Sequence, residues 1–368
     1  MRNCRPNVIS NSLLFVGVFE IISIPIGLLN FQVGLDRILS ALVNSLIWIT
    51  SSFIVSFKYS KVQVLKLSNS LINIGLIQGA IVVLARFAFP SYLPIPILSQ
   101  SMQALGSNSA AFSSNHVVYQ DWLNGLSFRT HGIMANATWA GGFSALALIL
   151  LVASQKNSVQ AILGNMYKYF LLIYVIYLSL SRSVLLALFI STLIGLLLKT
   201  ANGLIPDVRI AFKQICIIIV VSFTVITLNN GALSQTFDSI NQSRSGSLET
   251  RSDIYRVTTQ LVSEHPFPAI GYGIKPSGEG LVASIATHST PLGILFKGGF
   301  CGLVAYLCFL GFGLKELILT KNYLGLVLFN FIILWSVLED FDGGHLIPLF
   351  LGLIFQPKLV ENLRNNFT

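Results

Sequence analysis

Ten apolar runs, almost free of charge and separated by polar connections, decide what this 368-residue chain can become. They lie near 13–31, 38–57, 67–89, 135–153, 167–180, 183–198, 214–228, 290–312, 323–338 and 346–356. A helix needs about 20 such residues to cross the hydrocarbon layer. In lipid every backbone N–H and C=O must be satisfied inside the chain, so these runs are expected to be helices. Only 10% of the residues are charged, against about a quarter in a soluble domain. The expectation is an all-α integral membrane protein with about ten transmembrane helices, a single polytopic domain over 1–368. Several runs are short for a perpendicular span. The interval 167–198, broken only around Ser181-Arg182-Ser183, reads as two spans or as one bent helix. The first run has no small-residue cleavage site and is read as a retained span.

A formal net charge of +9 would point a soluble protein toward nucleic acid. Here the basic residues cluster between apolar runs, and orientation by the positive-inside rule is the better reading. With both termini cytoplasmic, ten of the twelve lysines fall in cytoplasmic connections, leaving only Lys275 and Lys297. The same orientation puts His116, His131, His265, His288 and His345 on exterior connections or their edges, with Arg37, Arg129, Arg182, Arg244, Arg251 and Arg256. Arginines on that face need a reason of their own. The cysteines (Cys4, Cys216, Cys301, Cys308) show no CxxC spacing, so neither a disulfide framework nor a zinc site follows.

Two exterior connections are long, 90–135 and 229–290. Within the second, Ile254, Val257, Leu261 and Val262 recur at near-helical spacing, which predicts an amphipathic helix on the membrane face over Ser252 to Glu264. Pro266 and Pro268 stop it, and Gly271-Tyr272-Gly273 reads as a turn. Arginine's planar fork suits phosphate oxygens. Arg182, set between two apolar runs, is expected to be paired or functional, or else to snorkel to lipid headgroups. Arg251 is a similar case. Arg256 has a competing reading as the i, i+3 partner of Asp253. His288 lies at the edge of an apolar run, where an imidazole can take a proton near neutrality. His265, before a proline, reads as a cap or packing residue. Glu339, Asp340, Asp342 and His345 read as a solvated acidic loop, with a divalent-cation site as the alternative. Glu20 and Lys297 stand isolated within their apolar runs. No nucleotide-binding or hydrolase motif appears in a supporting context.

Four stretches taken together carry a resemblance. They are Arg129-Thr-His-Gly-Ile-Met-Ala-Asn136, Leu180-Ser-Arg182-Ser183, Arg251 through Gly273, and His288-Ser-Thr-Pro-Leu292 followed by Gly299-Phe-Cys-Gly302. In order and spacing the chain resembles the O-antigen ligase/polymerase-like family of bacterial polytopic glycosyltransferases, over about 129–305. The first ~90 residues match only in being hydrophobic. Thr290-Pro291 replaces the aromatic often found after the family's histidine motif, which bears on the acceptor. The resemblance implies an enzyme that transfers glycan from a polyprenyl-pyrophosphate carrier to an acceptor hydroxyl. It acts at the outer face of the bacterial plasma membrane and polymerises surface-polysaccharide repeat units. A ligase acting on lipid A-core, protein or another acceptor is the alternative, and a transporter or flippase of lipid-linked sugars is the rival from another class. The implied catalytic residues are His288, Arg182 and Arg251; the implied substrate-binding residues are Arg129, Arg256, Tyr255 and His265. No cofactor, metal or nucleic acid is implied. The partners are the lipid-linked donor, a glycan or lipid-linked acceptor, membrane lipids and a chain-length regulator protein.

Overall fold

The computed structural model describes residues 7–88, 132, 134, 137–155, 159–179, 181–201, 245–276, 284–357, 359 and 363. The apolar run at 214–228, Arg129, and nearly all of the connection at 90–135 lie outside the described residues. The described elements are helices: α1 (Val8–Asn30), α2 (Leu35–Ser56), α3 (Lys61–Ala88), α4 (Ala137–Ser154), α5 (Val159–Gly164), α6 (Met166–Leu178), α7 (Arg182–Ala201), α8 (Ser245–Ser263), α9 (Thr290–Leu319), α10 (Tyr323–Leu338) and α11 (Ile347–Ile354). Five are long and apolar enough to cross a membrane: α1, α2, the Lys61–Leu84 portion of α3, α4 and α9. The interval 167–198 falls on two helices, α6 ending at Leu178 and α7 beginning at Arg182. At ~1.5 Å rise per residue, the thirteen residues of α6 fall short of the ~30 Å hydrocarbon layer.

The described residues fall into two compact units, with the boundary inside α3 after Val64. The second unit holds the rest of α3 with α4 through α7. Every residue of α4 is buried, and α6 and α7 pack against it.

The first unit holds α1, α2 and α8 through α11. Asn7 starts α1 by accepting a hydrogen bond from the Ser10 amide at 2.7 Å. The α1 helix packs against α2 and α9, and α11 against α2 and α10. Ser10 Oγ donates to the Ser52 carbonyl, tying α1 to α2. Tyr306 of α9 stacks edge-on with Trp48 and hydrogen-bonds Ser336 Oγ of α10. On the outward faces Phe15, Ile22, Phe53, Phe300, Val304 and Leu307 stay exposed, which suits helices surrounded by lipid rather than water.

One irregularity organises this unit. Gly299 sits at φ 65° and breaks α9 two turns from its start. A break strands backbone groups that lipid cannot satisfy, and the segment Pro268–Gly273 takes them up. Tyr272 and Gly273 amides donate to the carbonyls of Phe296 and Lys297, at 2.8 and 2.9 Å. Phe300 and Cys301 amides donate to the carbonyls of Pro268 and Ala269. The Gly271-Tyr272-Gly273 sequence is thus a strap through the broken helix rather than a plain surface turn. Gly273, at φ 69°, lies against α1, where a Cβ would meet the Ile24 backbone.

Candidate active site

The α8 helix begins at Ser245, earlier than its hydrophobic pattern indicates. Its apolar side is taken up by protein: Ile254 is fully buried, and Val257, Leu261 and Val262 pack on Tyr272, Ile285, Ala286 and Phe296. Residues 251, 255 and 258 share one face of a helix by their i, i+4, i+7 spacing. Arg251 Nη2 lies 3.1 Å from Glu339 Oε1, and its Nη1 donates to the Leu338 carbonyl at 3.3 Å. Tyr255 Oη donates to the His288 carbonyl at 2.9 Å. Thr258 Oγ1 accepts the Ala286 amide at 2.9 Å and donates to the Ile254 carbonyl.

The loop held this way is strained. Ala286 and His288 take φ of 59° and 67°, a region that costs a residue with a Cβ about 1–2 kcal/mol. Immediately after it α9 starts at Thr290, whose amide and Oγ1 both donate to the Glu339 carbonyl, at 3.1 and 2.8 Å. Thr290 Oγ1 in turn accepts from the Phe341 amide. These bonds register the 339–341 segment against the His288 loop.

Glu339 is the hub. Its Oε2 lies 3.9 Å from His288 Nδ1, at ion-pair distance but beyond a hydrogen bond. The side chains of Arg251 and His288 remain 30% and 31% exposed, and that of Glu339 13%. One carboxylate therefore bridges a guanidinium and an imidazole, both of which still reach the surface. Sequence offers Glu339 only as one acid of the 339–345 loop and not as a partner of Arg251 and His288, which lie 88 and 51 positions away.

The neighbouring acids are not solvated as the acidic-loop reading expects. Lys275 pairs with Asp340 and with Asp342, the latter at 2.8 Å. Lys297 lies 2.6 Å from Asp342 Oδ1 and 3.0 Å from Glu20 Oε1. Ser45 of α2 donates to the other Glu20 oxygen. Burial pushes the Asp340 carboxyl up, and the Asp342 charge adds to this against the two lysines. Burial would push Asp342 up too, but Lys275 and Lys297 hold it well below the usual carboxylate range. Charges of opposite sign in two apolar runs were the available signal, since intramembrane charges usually pair. Which ones pair is a matter of tertiary structure.

The remaining candidates are placed as follows. Arg182 opens α7 in the second unit, exposed, next to the Ser181–Ser183 hydroxyl pair at 2.9 Å. Arg256 pairs with Asp253 at 3.3 Å, both well exposed, which is the surface i, i+3 pair of its competing reading. His265 is buried, stacks edge-on against Tyr272 at 4.2 Å and accepts the Phe267 amide on Nδ1. Burial lowers its basicity. Tyr255 is pushed up, chiefly by burial. Arg37, at the start of α2, donates to Ser284 Oγ at 2.6 Å.

Residues 169–307 match the family model described as O-antigen ligase. The matched stretch holds Arg182, Arg251, Tyr255, Arg256, His265 and His288, and stops before Glu339. The match supports an O-antigen ligase/polymerase-like family for this membrane protein. No curated protein matches the chain.

Proposed function

We propose that this membrane protein, of O-antigen ligase/polymerase-like type, polymerises polyprenyl-pyrophosphate-linked oligosaccharide repeat units at the outer face of the bacterial plasma membrane. The observation that carries the reading is the bridge Arg251–Glu339–His288. The Glu339 carboxylate faces Nδ1 of His288 at 3.9 Å, which leaves Nε2 as the ring nitrogen to act as a base.

In this reading Nε2 of His288 removes the acceptor hydroxyl proton. The acceptor oxygen bonds to the anomeric carbon as the bond from that carbon to the pyrophosphate oxygen breaks, with inversion. The polyprenyl pyrophosphate leaves with the electron pair, and arginine stabilises its charge. Arg251 has N–H donors beyond the two spent on Glu339 and Leu338. Arg182 and Arg129 enter through the sequence motifs that carry them, as does Arg256. Pyrophosphate is already a good leaving group, so neither a general acid nor a metal is required. The lysine distribution orients both termini to the cytoplasm and the connections at 229–290 and 90–135, with α8, to the exterior. A chain-length regulator protein is a partner for a polymerase.

Transfer to a non-repeating acceptor is the second reading, favoured by the description of the matching family as a ligase. The test is reconstituted protein with a polyprenyl-pyrophosphate-linked oligosaccharide, alone and with lipid A-core. Growth of a lipid-linked ladder without added acceptor supports the polymerase. Product only with the acceptor selects the ligase, and translocation of intact donor with no transfer product selects the transporter.

A further inference from the structure

We infer that Tyr255 and Thr258 are positioning residues that set His288 for reaction, and that α8 acts as a splint for the His288 loop. The inference rests on the reading of His288 as the base. Residues with a Cβ seldom hold positive φ, and two in one short loop persist only when their surroundings over-determine them. Here Ala286 and His288 both do so. The restraints come from one helix face. Thr258, with no exposed surface, captures the Ala286 amide, and Tyr255 captures the His288 carbonyl two residues later.

The hydroxyl of Thr258 does this because its own hydrogen is spent on the Ile254 carbonyl at 2.6 Å. Its lone pair is thereby turned toward the loop. Arg37 fixes the loop's other end through Ser284, and Thr287 Oγ1 closes it on the Ser284 carbonyl at 2.8 Å. Arg251, one turn before Tyr255 on the same face, holds the Glu339 carboxylate that faces the imidazole. One helix therefore fixes both the backbone of His288 and its side-chain partner. Tyr255, assigned to substrate binding by the family resemblance, has its hydroxyl committed to this backbone contact.

The test compares Thr258→Val, Thr258→Ser and Tyr255→Phe with wild type and His288→Ala in full-length reconstituted protein. The probe is a polyprenyl-pyrophosphate-linked oligosaccharide. A base displaced by about 1 Å loses roughly 100-fold in rate. Thr258→Val is expected to lower kcat by about that factor with KM unchanged, and Tyr255→Phe by ~10-fold. Thr258→Ser, which keeps the hydroxyl, recovers most of the loss. Adding Ala286→Gly to Thr258→Val recovers part, since glycine holds positive φ without strain.

Hydrogen exchange over 284–289 gives a donor-independent readout: Thr258→Val releases the Ala286 amide while α1 and α10 keep wild-type protection. If Thr258→Val and Tyr255→Phe keep wild-type kcat and exchange while His288→Ala is inactive, positioning is overturned and the base survives. If His288→Ala keeps its activity, the underlying reading fails.

Discussion

Replacing Lys297 by methionine tests the most deeply buried ion pair among the described residues. Its side chain is 3% exposed, beside a Glu20 side chain that is fully buried. Methionine keeps the packing and deletes the charge. Fully ionised, Glu20, Asp340, Asp342, Lys275 and Lys297 sum to one negative charge, and the substitution doubles that. Removing one partner of a buried pair costs about 3–5 kcal/mol, because the remaining charge is left unpaired. Lys297 serves two carboxylates, at 3.0 and 2.6 Å, so the upper half of that range is expected. At about 2–4 °C per kcal/mol, the midpoint falls by on the order of 10 °C. Thermal unfolding of detergent-solubilised protein, followed by size-exclusion fluorescence, reads this. Glu20→Gln in the same background recovers at least ~1 kcal/mol, within the usual coupling of contacting residues. A shift of only a degree or two, or no coupling to Glu20, would refute the reasoning.

Other outcomes are equally specific. Glu339→Gln keeps the fold but lowers transfer by about 10²-fold, the scale of a general-base contribution; unchanged kcat in the reconstituted assay would remove Glu339 from the chemistry. Gly299→Ala destabilises by about 2 kcal/mol, because its Cβ enters the Ile270 and Ala269 backbone at a φ of 65°; equal melting midpoints would contradict the strap. Burial holds the His265 pKa below its unfolded value of ~6.5, so the unfolded state binds more protons and stability falls as pH drops through that window. His265→Asn, which keeps an acceptor for the Phe267 amide, removes that histidine's share, seen as a flatter midpoint between pH 7.5 and 5.5.

The helices were legible because the bilayer leaves so few choices. Apolar runs at 13–31, 38–57 and 290–312 correspond to α1, α2 and the first part of α9. The break at Gly299 was not legible, since a glycine pair inside an apolar run is compatible with a straight helix. Its stabilisation comes from Pro268–Gly273, more than 20 positions away. His288 and Arg251 were recognisable by residue type and motif. Glu339 was not, because a carboxylate in an acidic loop looks solvated until its partners fold onto it. Lys275 and Lys297, the two lysines that the sequence reading leaves over, are committed to Glu20, Asp340 and Asp342.

The most direct measurement follows polyprenyl pyrophosphate and glycan product together, in proteoliposomes carrying wild type, His288→Ala or Arg251→Ala, with and without EDTA. Wild type is expected to release one carrier pyrophosphate per glycosidic bond formed, insensitive to EDTA, with both variants at least ~100-fold slower. Transfer undiminished in His288→Ala, or movement of donor across the bilayer with no carrier released, would contradict it.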